Sequence, residues 1–176
     1  GNMGYFPNIK AAQYLIEKIM PLVWEKMPQA KVIISGARPH PSIKAFAKDA
    51  RIEVTGWVED IRDSYLAGQI FVAPLFTGSG QQNKILEAMA MNRVCITTPM
   101  VNNAIQAKEG KEIAIADQPE DFAALIIQYL EKEDLQTSLG RSGRMFVETY
   151  MSWQKAIKPL NQFFQETSSE LKTDSM

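Results

Sequence analysis

PLFTGSGQQNKILEAMAM, residues 74–91, joins two kinds of periodicity across one loop. Leading into it, Ile70-Phe71-Val72-Ala73-Pro74-Leu75 is an unbroken apolar run of strand length. Beyond the loop, Ile85, Leu86, Ala88, Met89 and Ala90 recur at helical spacing. Between them stand Thr77, Gly78, Ser79 and Gly80. The reading is a buried parallel strand, a small-residue turn, and a helix that begins at the turn. Such a turn favours an anion, because free N–H groups converge where the helix dipole is positive and glycines let a phosphate approach closely. Lys84 adds a cation at that end, and Glu87, three residues on, shares its helix face. A carboxylate so placed can accept hydrogen bonds from a pair of sugar hydroxyls. A cation for phosphate beside an acid for ribose is the layout of a nucleotide site.

A second reading of the same stretch needs no ligand. Ser79 with Gln82 three residues on fits a capping box. Lys84 and Glu87 then form an exposed helix pair contributing roughly 0.2–0.5 kcal/mol. Spacing leaves the two readings level. Glu87 sits directly between Leu86 and Ala88-Met89-Ala90, surroundings that argue against a freely solvated carboxylate. Neither G-x-G-x-x-G nor G-x-x-x-x-G-K-[ST] occurs, so the two commonest phosphate-loop alternatives fail on pattern.

With 176 residues the chain reads most simply as one domain, long enough to bury a good core. A net charge of −1 gives no electrostatic case for nonspecific binding to nucleic acid or to an anionic membrane. The single cysteine, Cys95, lies in the apolar run Val94-Cys95-Ile96, reads as core packing and permits no intramolecular disulfide. No apolar stretch reaches spanning length and no signal peptide is visible, so a cytoplasmic protein is the default expectation.

From the N-terminus, Asn8 after Pro7 reads as the cap of a helix that buries Ala11, Ala12, Leu15, Ile16 and Ile19, continues through Trp24 and stops before Pro28. Strands are expected at 31–36, 52–56, 70–75, 94–98 and 112–116. Short helices are expected at 42–48, 60–67 and 104–107, and longer ones at 119–130, 135–150 and 153–164. A polar tail, 165–176, is expected to fray. Five strands alternating with helices mean an α/β fold, a Rossmann-like doubly wound parallel sheet. Ligands of such sheets lie outside the carboxyl ends of strands, where Gly36, Gly56 and the Gly78/Gly80 pair all fall on one rim. His40, between two prolines, reads as an exposed loop residue.

From Gly1 to about Phe164 the chain resembles the C-terminal, donor-binding half of the retaining glycosyltransferases of GT-B fold, group 1 or family 4. The residues that carry the resemblance are Gly78-Ser79-Gly80 followed by Lys84-Ile85-Leu86-Glu87-Ala88-Met89-Ala90. Tyr5-Phe6-Pro7-Asn8, Ile33-Ile34-Ser35-Gly36 and Gly56-Trp57-Val58-Glu59-Asp60 stand in the matching order around them. The resemblance implies a nucleotide-diphospho-sugar as donor substrate and an N-terminal acceptor-binding domain of the same protein as partner. It implies that Glu87 binds the ribose hydroxyls and that the amides of Gly78, Ser79, Gly80 and Gln81 meet the diphosphate or the sugar. Trp57 and Val58 would contact the nucleobase, and Arg38, following Gly36, would reach the same pocket. The plain alternatives are a packing role for Trp57 and a solvated loop cation for Arg38.

The departures are specific. The family's second glutamate, eight residues before the first, is replaced by Ser79. The family's basic pair after the first strand is replaced by Asn2 and Pro7, and the basic residue of one sub-branch by Gln82. Positive charge for the diphosphate then rests on Lys84, the helix terminus and Arg38, with Lys84 as the stabiliser of the leaving group. No Asp-x-Asp pair occurs, so neither a metal nor another cofactor is expected. The family's first strand has no counterpart ahead of Gly1, and its place would be a gap between 32–35 and 71–75. The chain is therefore expected to be a fragment, inactive alone, of an enzyme of glycan or polysaccharide biosynthesis. The rival readings are a nucleotide-sugar 2-epimerase and a non-catalytic nucleotide-sugar-binding relic.

Overall fold

The computed structural model describes residues 1–78, 80–151 and 157. Strands form where apolar, mostly β-branched residues run together: Val32–Ser35 (β1), Ile52–Gly56 (β2), Ile70–Ala73 (β3), Val94–Thr97 (β4) and Ala114–Ile115 (β5). Val32 pairs with Ile52, Ile70 with Val94, and Ile96 with Ala114, every ladder being parallel. Parallel neighbours need a crossover, and helices supply it. They are Phe6–Tyr14 (α1), Met20–Lys26 (α2), Pro41–Lys44 (α3), Ile61–Ala67 (α4), Asn83–Ala90 (α5), Pro99–Ile105 (α6), Pro119–Glu131 (α7) and Glu133–Tyr150 (α8).

β4 shows why the sheet is wound on both faces. All four of its residues are buried. Val94 and Ile96 point into a cluster with Ile19, Val23, Phe122 and Ile126, while Cys95 points into another with Ile85, Ala88, Met89 and Phe146. Alternation along one strand thus feeds two apolar layers, one under α2 and α7, the other under α5 and α8. Gly140 and Gly143 let α8 approach closely, since a Cβ on them would stand 2.3 Å from the Asn92 carbonyl oxygen and 2.7 Å from that of Glu112.

The strand order is β2-β1 in one sheet and β3-β4-β5 in the other, with no ladder between β1 and β3 among the described residues. Residues 1–3 run beside the end of β1: the Gly1 amino group donates to the Ser35 carbonyl at 3.1 Å, and the Met3 N–H to Ala37 at 2.8 Å. Gly36, at φ 154°, has no space for a side chain, because a Cβ there would lie 1.8 Å from the Gly1 oxygen.

Several expected boundaries move. The first helix begins at Phe6, with Pro7 inside its first turn, so Asn8 is not the cap but a first-turn residue whose side chain is free for other work. Between α1 and α2 the chain makes a π turn over Leu15–Ile19, closed by the Met20 N–H on the Leu15 carbonyl. The wider turn lies just ahead of Pro21, which has no N–H to donate and whose ring would collide with the Glu17 carbonyl in an α-helix. Pro99 does not merely stop a strand: it opens α6, capped by Thr98, and the expected helix at 104–107 is the end of this one. The strand at 112–116 shrinks to β5, that at 70–75 stops at Ala73, and the helix at 42–48 is α3 followed by a 3-10 turn, Ala45–Lys48. His40 is exposed, as expected, and caps α3 by accepting from the Ser42 N–H. The expected helix at 153–164 and the tail at 165–176 lie outside the described residues, Ile157 apart.

Truncation separates the two kinds of strand position. Ile96→Ala, at a fully buried site, is expected to cost about 2–5 kcal/mol in urea unfolding, while Ile33→Ala, 36% exposed, costs less than about 1 kcal/mol.

Candidate functional site

The stretch that opens the sequence reading sits at the carboxyl end of β3. Two buried hydroxyls fix the chain as it leaves that strand. Thr97 Oγ1 donates to the Ala73 carbonyl at 2.8 Å, and Thr98 Oγ1 to the Leu75 carbonyl at 2.6 Å. The loop that follows carries Gly78 at φ 121° and Gly80 at φ 75°, and an added Cβ at either would meet nothing closer than the tip of Gln82, at 3.9 Å from Gly78. Those glycines are therefore required by conformation, not by crowding. Ser79 lies outside the described residues.

α5 begins at Asn83 with Gln82 as its N-cap, and the Gln82 side chain makes no cap hydrogen bond. A capping box with Ser79 at the cap is thereby excluded, because the helix starts later than that box requires. In the first turn of α5 the Ile85 N–H donates to the Gln82 carbonyl at 2.9 Å, while those of Asn83 and Lys84 have no partner among the described residues at the mouth of the glycine loop. Gln81 is exposed and places its amide 3.3 Å from the Met151 sulfur, while Gln82 reaches the Gly80 carbonyl at the long distance of 3.5 Å.

Lys84 and Glu87 share one face of α5 but are treated differently. Lys84 is half-buried and donates through Nζ to Asn8 Oδ1 on α1. Asn8 in turn donates to the Asn2 carbonyl at 2.9 Å, so the cation is tied to the segment beside β1. Burial pulls the Lys84 pKa below the ordinary lysine value, with Glu87 pulling the other way. Glu87 is exposed, which corrects the expectation that its apolar sequence neighbours shelter it: Ile85, Ala88 and Met89 turn inward while Glu87 turns out. It is not unattended, since the Tyr65 hydroxyl donates to its Oε2 at 2.7 Å.

The structure thus brings Gly36, Lys84 and Glu87 to one rim, joined through Gly1, Asn2 and Asn8. The Gly36 N–H donates to the Gly56 carbonyl at 3.0 Å, which puts the Trp57 loop next along that rim. Val58 is half-buried and Trp57 is 72% exposed. Arg38, exposed and left-handed at φ 55°, and Trp57 make no side-chain hydrogen bond or ion pair among the described residues. Asn8, Tyr65, Thr97 and Thr98 escape sequence reasoning. Asn8 carries the signal of a helix cap and Tyr65 that of a core ring, and only the fold reveals their partners. Among the described residues no group of three or more His, Cys, Asp or Glu side chains could hold a metal ion, and no helix is long and apolar enough to cross a membrane.

Residues 1–132, three-quarters of the chain, match the family model described as glycosyl transferases group 1. The chain belongs to the group 1 glycosyltransferases. Its fold is the Rossmann-like α/β domain of the GT-B type, and it corresponds to the C-terminal domain of these enzymes. The C-terminal domain of the glycosyl transferase group 1 protein LpcC from Francisella tularensis superposes with a TM-score of 0.68 at 19% identity, over 82% of each chain. TarM of S. aureus, in a complex with UDP, fondaparinux and alpha-GlcNAc-glycerol, gives 0.77 at 17% identity over 93% of this chain and 34% of its own. HepE of Anabaena, bound to UDP-glucose, gives 0.69 at 14% identity over 88% and 44%. In sequence, an uncharacterized 44.6 kDa protein of the cps region of Klebsiella pneumoniae is 23% identical over 137 residues, 73% of this chain. The present glycosyltransferase domain spans about a third of that relative, which it covers to 35%.

Two substitutions probe the scaffold of this candidate site. Thr98→Val strands the buried Leu75 carbonyl and is expected to cost about 1–3 kcal/mol in chemical denaturation. Lys84 behaves oppositely. A lysine whose folded pKa is depressed is penalised by folding at every pH below that pKa, and the penalty vanishes as pH rises past the unfolded value. Lys84→Met is therefore expected to leave stability at pH 7 unchanged or raise it by up to about 1 kcal/mol, read as thermal unfolding. A marked loss would show that the bond to Asn8 outweighs the cost of burial.

Proposed function

We propose that this chain is the donor-binding half of a retaining, family 4 glycosyltransferase that moves a hexosyl group from a nucleotide-diphospho-sugar to an acceptor hydroxyl in polysaccharide biosynthesis. The observation that carries the reading is the pair on α5: Lys84, held half-buried by Asn8, and Glu87, held outward by Tyr65, at the mouth of a two-glycine loop. UDP in TarM and UDP-glucose in HepE, on the same fold, support a donor of this class.

Negative charge develops on the departing diphosphate, so the task of this half is electrostatic. The Lys84 ammonium and the unpaired N–H groups at the start of α5 meet that charge, and Gly78, Ser79, Gly80 and Gln81 let it come close. Glu87 accepts from the ribose hydroxyls, while Trp57, Val58 and Arg38 form the side that faces the base. This assignment needs no metal, because the cation is supplied by the chain. The acceptor is held by an N-terminal domain of the complete enzyme, working in the cytoplasm or at the inner face of its membrane. The chain alone is then expected to bind donor without turnover. Ser79, Asn2 and Pro7, in place of the family's acid and basic pair, are what the relic reading rests on, while the match to the group 1 glycosyltransferases favours transfer.

Calorimetric titration of the 176-residue chain with UDP-, GDP- and ADP-sugars is expected to find a ligand among the three. Glu87→Ala should weaken that binding by about 1–3 kcal/mol, as for a lost hydrogen bond to a charged group. A folded chain that binds none of them would overturn the proposal.

A further inference from the structure

An exposed glutamate ordinarily turns freely about three side-chain bonds, and ordering it costs entropy at the moment a ligand binds. Glu87 is exposed, yet Tyr65 holds its Oε2 at 2.7 Å. The tyrosine comes from a different helix, α4, and its own ring cannot swing. It is 7% exposed, and it meets the ring of Phe71 on β3 edge-on, with centroids 5.5 Å apart and planes at 67°. It belongs to the same apolar cluster as Ile85 and Ala88, which pin α5 beneath it. Burial, and then the bond to Glu87, push the phenol pKa upward, so the group stays protonated and can only donate here. A phenylalanine would fill the same space. The hydroxyl is thus surplus to packing, and its one described partner is a carboxylate at the rim of the candidate site.

We propose that Tyr65 is the positioning residue for ribose recognition. Its hydroxyl occupies one lone pair of Oε2 and fixes the plane of the carboxylate, leaving the remaining lone pairs of Glu87 as a preformed pair of acceptors for the two ribose hydroxyls. The inference rests on the reading of Glu87 as the ribose acid. Its distinctive consequence is selective: losing the Tyr65 hydroxyl should weaken only ligands that carry ribose hydroxyls.

The test compares the wild-type chain with Tyr65→Phe, Glu87→Ala and the double variant. The ligands are whichever of UDP, GDP and ADP binds the wild type, and its 2′,3′-dideoxy analogue. Tyr65→Phe is expected to unfold cooperatively near the wild-type midpoint and to bind the ribonucleotide roughly five- to tenfold more weakly. Its affinity for the dideoxy analogue should be unchanged, and the double variant should bind no more weakly than Glu87→Ala alone. Equal losses for both ligands, or additive losses in the double variant, would overturn the positioning role while leaving the ribose acid in place. A wild-type chain that binds none of the three nucleotides, or does not prefer the ribonucleotide, would remove the reading of Glu87 and this inference with it. Should Tyr65→Phe fail to fold, the wild-type chain labelled at tyrosine Cζ decides. The Tyr65 resonance should move with the ribonucleotide and not with the dideoxy analogue, and identical responses would overturn the proposal.

Discussion

Two hydroxyls sealed inside an apolar layer hold the working edge of this sheet in place. Thr97 and Thr98 are almost completely buried, a placement polar side chains tolerate only with partners, and each has one in a carbonyl at the end of β3. The chain that leaves β3 is therefore fastened at Ala73 and again at Leu75 before the glycines begin. Because β4 is itself buried along its whole length, the fastening is to a strand packed on both faces. The flexible-looking loop thus starts from a rigid post, and α5 is delivered at a fixed height above the sheet.

Upon that post the two charges of α5 are mounted in opposite ways. The cation is drawn back, half desolvated, against an amide oxygen from the far side of the unpaired interval between β1 and β3. The acid is pushed forward into solvent and braced by a phenol from behind. A retracted ammonium keeps a strong field, because little water screens it. A forward carboxylate keeps its acceptors open to a guest. A half-buried cation and a braced, outward acid on one helix face are an arrangement that packing alone does not call for.

Much of this was legible from the residues, and the limits of legibility are physical. Periodicity located all five strands and the alternation that makes them parallel, since a strand buried on both faces, such as β4, leaves an unmistakable apolar run. The glycine loop with Lys84 and Glu87 was equally plain. Boundaries set by proline were misread in both directions, because proline both ends one element and begins another. Pro99 opens α6 and Pro7 lies inside α1, which turned Asn8 from a supposed cap into the partner of Lys84. Glu87 was judged by its neighbours in sequence, whereas a helix turns each residue about 100° from the last, so that Leu86 and Ala88 need not share its face. Tyr65 could be recognised as a core ring from its spacing with Ile61, but the target of its hydroxyl lies twenty-two positions away and depends on tertiary packing.

The π turn at Leu15–Ile19 has a consequence of its own. One extra residue in a turn inserts a rotation of roughly 100° between the helical pieces on either side. The piece carrying Asn8 is thereby set at an azimuth independent of the piece whose Ile19 and Val23 are locked into the interior. Excising a single residue from that turn would leave Ile19 and Val23 in place, yet swing Asn8 about a quarter-circle away from the lysine it holds and carry the buried Ala11 and Ala12 round with it. The count of residues there, more than their identity, works as the phase adjustment between scaffold and site.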